Sequence, residues 1–250
     1  MALREYLAAF ANLLYPMHCF GCQKSLHDGE SQYLCKGCWE GIGYIAGPRC
    51  PRCGTGLGVY AAAATKGCME CRSQNFRFDS AFCVTYYEGV VKELIHQFKY
   101  GRQEFLAKPL TDLLVSYAKE INLHSNKIDM VVAVPLHGRK KAERGFNQAE
   151  LLGRNLGRSL GIDICIGGLR RIRNTTSQTR QPYYRRAENV RGAFSVKNPS
   201  KFREKNVLLV DDVLTSGLTA SECARVIKEA GAGKVYVLTI AKSRGILADA

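Results

Sequence analysis

The spacing of apolar residues changes character twice along this chain. Over the first sixteen positions Leu3, Leu7, Phe10 and Leu14 recur at helical spacing, which predicts a short amphipathic helix ended by Pro16. From residue 19 to residue 71 no period persists, and pairs of cysteines take its place. From about Phe76 an alternating pattern begins. Phe82–Tyr87 reads as a strand, and Val90–Lys99 as a helix with Val91, Leu94, Ile95 and Phe98 on one face. A further helix is predicted over 105–120. Met130–Val134, Val207–Val210 and Val235–Ile240 are continuous apolar runs, as expected of parallel strands covered on both sides. Residues 142–160 read as one helix, and another follows a 213–219 loop to Ala230, where Gly231 stops it. This order predicts an α/β, doubly wound, mostly parallel sheet with ligands at the carboxyl ends of its strands. The expected division is a small unit over 1–75 and an α/β domain over 76–250.

The cysteines explain the first unit. Eight of the eleven fall in four C-x-x-C pairs: Cys19/Cys22, Cys35/Cys38, Cys50/Cys53 and Cys68/Cys71. Each C-x-x-C turn sets two sulfurs on one side of a tight loop, and two such turns complete the tetrahedral thiolate cage that zinc prefers. One pair would carry little weight; four in tandem point to two structural zinc ions. Disulfides are disfavoured in a reducing compartment, and a thioredoxin-type motif would need a βαβ setting that is not visible here. All-thiolate ligation implies closed sites, and metal supplies much of the folding free energy of so small a segment. Sequential pairing gives two ribbons in series, the second with a glycine- and alanine-rich tip over 54–67; an interleaved cross-brace is equally compatible with the spacing. Cys83, Cys165 and Cys223 stand alone among apolar neighbours and read as small core residues.

Charge adds a partner class. The formal net charge is +14, and filling both cages as Zn(Cys)₄ lowers it by four, to about +10. Either value favours phosphates or nucleic acid as partners. No run approaches the ~18 apolar residues of a membrane span. Glu5, Asn12 and Pro16 spoil a signal-peptide reading of the amino terminus, so a cytoplasmic location is expected.

Residues 206–231, NVLLVDDVLTSGLTASECARVIKEAG, carry the candidate chemistry. The strand delivers Asp211 and Asp212 to its end. Thr215, Ser216 and Thr219 then offer hydroxyls, and Gly217 lets backbone approach a ligand without a Cβ in the way. Free amides at the helix start and the helix dipole favour an anion there. Two carboxylates beside an anion cup suit a ribose phosphate, whose hydroxyls they accept while the loop holds the phosphate. A bare Asp-Asp turn with a Thr or Ser cap is common; the whole string is far more specific, and it lacks Walker A spacing. It resembles the PRPP (phosphoribosyl pyrophosphate) motif of type I phosphoribosyltransferases. That resemblance implies PRPP binding, with Mg²⁺, by Asp211, Asp212, Val213, Leu214, Thr215, Ser216, Gly217, Leu218 and Thr219, with Asp211 and Asp212 as the catalytic pair.

Two more segments agree. Residues 131–148, VVAVPLHGRKKAERGFNQ, place Pro135–Gly138 after a strand, where that superfamily has its pyrophosphate loop. Residues 170–194 are long, polar and arginine-rich, where a mobile hood is expected. His137, Arg139, Lys140, Arg144, Arg180 and Arg186 are the weaker candidates for pyrophosphate. Together with the cysteine ribbons, V-P-L-H, R-G-F-N-Q at Arg144–Gln148, T-x-x-Q-T-R at Thr175–Arg180 and R-x-x-N-V-R-G-A-F make the chain resemble the ComF family over nearly its whole length. The resemblance implies a type I phosphoribosyltransferase fold behind a zinc-ribbon domain, and a part in DNA uptake during natural transformation beside the uptake machinery. An amidotransferase is not expected, since no cysteine stands near the amino terminus. A second expectation is a non-catalytic module for single-stranded DNA, with Tyr183, Tyr184 and Phe146 as stacking platforms.

Overall fold

The computed structural model describes residues 17–26, 31, 33–58, 67–72, 74–174 and 183–244, with backbone alone at 125 and 183–186. The expected amino-terminal helix and most of the tip of the second ribbon lie outside these residues. So do Thr176 and Arg180.

Five parallel strands form the central sheet: β1 (Ser80–Tyr86), β2 (Met130–Ala133), β3 (Asp163–Ile164), β6 (Val207–Leu214) and β7 (Val235–Lys242), in the order β1-β7-β6-β2-β3. A separate antiparallel ribbon pairs β4 (Leu169–Arg171) with β5 (Phe194–Val196). The helices are α1 (Lys36–Glu40), α2 (Met69–Arg72), α3 (Gly89–Tyr100), α4 (Ala107–Glu120), α5 (Gly138–Arg144), α6 (Gln148–Leu160), α7 (Tyr183–Val190) and α8 (Leu218–Glu229).

The sheet is covered on both faces, as its continuous apolar strands require. Leu208, Val210, Leu238 and Ile240 face a core built with Leu94 and Ile95 of α3, Leu110 of α4 and Leu152 of α6. Val207, Leu209, Val235 and Val237 face the other, with Cys223 and Ile227 of α8, Leu169 and Phe194. Cys83 and Cys223 are fully buried, as expected; Cys165 is only half-buried.

The strand order places a topological switch between β2 and β6. From β2 the chain moves outward to β3, then returns to lay β6 on the other flank of β2. Ligand crevices in doubly wound sheets form at the carboxyl ends beside such a switch.

Three expectations need correction. The helix expected over 142–160 is two helices. Gly145, at φ +88°, ends α5, and Asn147 caps α6 by accepting from the Ala149 amide at 3.2 Å. β6 runs past Val210 to Leu214, because β7 offers a partner throughout, pairing Asp211 with Thr239 and Leu214 with Lys242. Only 215–217 is left between strand and helix. Finally, 170–194 is not one loop: its ends are drawn into the β4–β5 ribbon, and α7 lies between them.

Both cysteine units dock on the α/β domain. Arg52 O accepts from the Ala81 amide at 2.9 Å, and the Ile45 amide donates to Val84 O at 3.0 Å, covering the outer edge of β1. Cys19, Leu34, Cys38 and Ile42 share the core of α3 and α4.

Candidate functional site

Two sulfur cages form, and both pair sequentially: Cys19, Cys22, Cys35 and Cys38 in one, Cys50, Cys53, Cys68 and Cys71 in the other. The Sγ atoms of each set lie within 4.8 Å of one another. Three separations, Cys22–Cys35, Cys53–Cys68 and Cys50–Cys71, are 3.7, 3.7 and 3.8 Å. A tetrahedron with Zn–S near 2.3 Å has an S–S edge of about 3.8 Å, so the cages fit zinc. Backbone amides support the thiolates: Cys35 and Gly21 donate to Cys19 Sγ, and Cys68 donates to Cys50 Sγ at 3.2 Å. Sulfurs this close oppose one another's ionisation. Contacts with Cys53 and Cys71 hold the Cys50 thiol far below its ordinary range, and contacts with Cys50 and Cys71 drive Cys53 far above it. A divalent cation lets all four ionise together.

The second centre is the crevice at the β2–β6 switch. Pairing of β6 with β2 stops at Ala133–Val210, so Asp211 to Leu214 reach beyond β2 while still held by β7. Strand alternation sends the two acids to opposite faces. Asp212 is buried and meets Lys99 Nζ of α3 at 2.8 Å. Burial alone would lower the Lys99 pKa, but Asp212, with Asp211 behind it, holds it above its usual value. Asp211 faces the other side, where it feels Arg171, and accepts the Asp212 amide at 2.9 Å. Burial, and then the Asp212 charge, push the Asp211 carboxyl up to about 7. The repulsion between adjacent acids therefore has an answer that the sequence did not disclose. Lys99 supplies the counter-charge.

Beyond the strand, Thr215 is exposed, Ser216 and Thr219 are half-buried, and Gly217 is buried at φ +75° as the N-cap of α8. Leu214 is buried and Val213 half-buried; both lie in the strand. A Cβ on Gly217 would lie 2.7 Å from Phe76 Cε1, so glycine is required here by its backbone angle and by that ring. Beneath the loop, the buried Lys242 donates to Thr215 O at 3.3 Å and Ser243 O at 3.2 Å.

Across the crevice the 135–138 turn leads into α5. Asn147 Nδ2 donates to Val134 O at 3.1 Å and fixes the start of the turn. The His137 ring caps α5 by accepting from the Arg139 amide at 3.3 Å. Arg139 is exposed and paired with Glu143. Lys140 is half-buried; burial, then Arg171 and Arg144, push its pKa down. Arg144 lies 4.9 Å over the Tyr100 ring and donates to Gln148 Oε1 at 3.1 Å. A cavity of about 240 Å³ opens beside this turn, lined by Pro135, Lys141, Asn147, Glu150, Arg170 and Arg171. On the far side, Glu222 of α8 accepts the Gly192 amide at 2.7 Å and ties the β5 end of the arginine-rich arm to that helix.

The structure thus sets Asp211 and Lys140 on the side of Arg171, Asp212 on the opposite face against Lys99, and the 215–219 segment just past the strand end, while Arg139 faces solvent. Arg180 and the side chain of Arg186 lie outside the described residues. So do the Tyr183 and Tyr184 rings. Phe146 is 6% exposed and packs on Phe98, so it is no stacking platform. Sequence reasoning missed Lys99, Arg171, Lys242 and Phe76. Only Lys99 left a signal: it follows Val91 and Ile95 at i+8 and i+4, a charge on an apolar stripe.

Comparison with known proteins points the same way. Residues 103–246 match the phosphoribosyl transferase domain model, and residues 10–72 match the double zinc ribbon domain model. "Competence protein F" of Haemophilus influenzae is 29% identical over 232 residues, spanning 92% of this chain and 98% of that protein. "DNA utilization protein YhgH" of Escherichia coli is 30% identical over 200 residues, 78% of this chain and 84% of that one. "Competence protein ComFC" of Bacillus subtilis is 28% identical over 218 residues, 84% of each.

Proposed function

The chain belongs to the ComF family, in which a double zinc ribbon precedes a phosphoribosyltransferase-type domain, and from that premise we propose that it binds PRPP and serves DNA uptake in natural transformation. The observation that carries the PRPP reading is the position of Asp211–Thr219 at the topological switch, facing the 135–138 turn across the β2–β6 crevice. In this reading Asp211 and Asp212 accept from the ribose hydroxyls, with Lys99 retained as the counter-charge of Asp212. The backbone of 213–218 and the hydroxyls of Thr215, Ser216 and Thr219 take the 5′-phosphate at the start of α8. His137, Lys140, Arg144, Arg171 and the arm carrying Arg180 and Arg186 take the pyrophosphate. Mg²⁺ bound with PRPP neutralises pyrophosphate charge. If transfer occurs, these residues work by positioning and by stabilising charge, not by covalent chemistry. The names of the relatives in Haemophilus influenzae, Escherichia coli and Bacillus subtilis support the link to DNA uptake. A cytoplasmic location, and a boundary near residue 75 between the ribbons and the transferase domain, belong to the same reading. Among the described residues no helix is long and apolar enough to cross a membrane.

Titration calorimetry with Mg²⁺-PRPP tests the binding. The Asp211→Asn/Asp212→Asn variant is expected to weaken affinity by at least about tenfold, the loss of two charge-assisted contacts. Unchanged affinity would overturn the assignment.

A further inference from the structure

Lys242 and the Ser243 amide hold the strand end of the 215–217 loop, through Thr215 O and Leu214 O, but its helix end is held differently. Among the described residues no side chain caps the start of α8, and Gly217, at φ +75°, adds no side chain of its own. What sits against it is the Phe76 ring, close enough that a Cβ on Gly217 would meet Cε1 at 2.7 Å and Cζ at 3.0 Å. Phe76 itself is held from two sides. One is the sheet core, through stacking on the buried Phe78 at 4.7 Å between centroids.

The other is the second cysteine cage. Phe76 packs against the cluster of Cys50, Cys53 and Cys71. Arg52, between two of the sulfur ligands, donates to Cys71 O at 3.2 Å, Gln74 O at 3.1 Å and Phe76 O at 3.4 Å. Its guanidinium lies 5.8 Å from the Phe76 centroid. One arginine thus joins both knuckles of the cage to the residue that seats the loop. The adjacent Arg77 amide donates to Ser221 Oγ at 3.0 Å, gripping the first turn of α8.

We propose that Phe76 is a positioning residue through which the second Cys₄ ribbon, when filled, fixes the phosphate loop in its binding conformation. The inference rests on the PRPP reading for its consequence, but the mechanical link does not. Emptying the cage frees the Arg52 knuckle, Phe76 loses its outer support, and the Gly217 turn samples other conformations. Among the described residues the first ribbon has no such path; it docks on α3 and α4.

Two measurements on the full-length protein decide this. Hydrogen exchange of the 221–223 amides, which close the first turn of α8 on the loop with Ser221 N donating to Gly217 O at 2.8 Å, is expected, without ligand, to speed up about tenfold or more in Phe76→Ala and in wild type stripped by a zinc chelator, while β7 amides keep their protection. Phe76→Leu restores most of the protection. In parallel, the Mg²⁺-PRPP dissociation constant of Phe76→Ala is expected to rise about tenfold, with two zinc ions still bound per chain. Unchanged exchange at 221–223 in both Phe76→Ala and the stripped protein overturns the inference, whatever happens to PRPP. Should wild type not bind PRPP, the functional reading fails, and the exchange experiment still settles the role of Phe76. Should Phe76→Ala not fold, Phe76→Leu and the stripped wild type carry the test, and wild-type-like exchange in the stripped protein overturns it.

Discussion

Replacing Lys99 with methionine keeps most of the volume at the end of α3 and removes the charge that meets Asp212. The two groups are 2.8 Å apart, with side-chain exposures of 18% and 9%. At an effective dielectric near 20 their attraction is on the order of 6 kcal/mol, and withdrawing both ions from water offsets several kcal/mol of it. Desolvation thus leaves the intact pair worth far less than its attraction, yet breaking it is costly, because Asp212 stays buried without its counter-charge. A loss of about 3 kcal/mol is expected for Lys99→Met, the lower end for a broken buried pair, since the Lys99 ammonium keeps some contact with water. Denaturant unfolding with zinc present, followed by circular dichroism, reads this as a midpoint shift at unchanged slope. The decisive arm is the double variant Lys99→Met/Asp212→Leu, expected to recover at least half of the loss, because no buried charge is then left. A single-variant cost below about 1 kcal/mol, the range of an exposed pair, would refute the reasoning. So would a double variant no more stable than the single.

Three further outcomes are expected. The Asp211 carboxyl is raised in the folded state to about 7 from 3.8, so its contribution favours folding at acid pH and is lost as pH rises through 7. PRPP binding through the carboxylate should run the other way, tightening about tenfold from pH 6 to pH 8 as the ionised fraction grows; calorimetry of Asp211→Asn should show that slope flattened. Gly217→Ala, which meets both φ +75° and the Phe76 ring, should cost about 1–3 kcal/mol in thermal or denaturant unfolding and weaken PRPP binding; a variant as stable as wild type would contradict the seating of Phe76. Metal analysis should find two zinc ions per chain, with chelation melting the ribbon segment; well under one per chain would overturn both cages.

Much of this protein is legible in its sequence. Local chemistry wrote it: C-x-x-C turns hold their sulfurs together whatever surrounds them, and apolar runs long enough to fill a strand announce burial on both faces. The string from Asp211 to Thr219 stands out because strand, acids, hydroxyls and glycine are contiguous. What local pattern could not decide was partnership across distance. Spacing left the cysteine pairing open, and the docking of each ribbon closed it as sequential. The strand end at Val210 was misplaced because its extension to Leu214 depends on β7, a strand whose length was itself underestimated. Lys99 lies 113 positions from Asp212 and Phe76 lies 141 from Gly217, so neither contact leaves a periodic trace. The zinc signature and the Asp211–Thr219 string are fixed by neighbours in the chain. The charge that balances Asp212 and the ring that seats Gly217 are supplied by packing, and only the tertiary structure could select them.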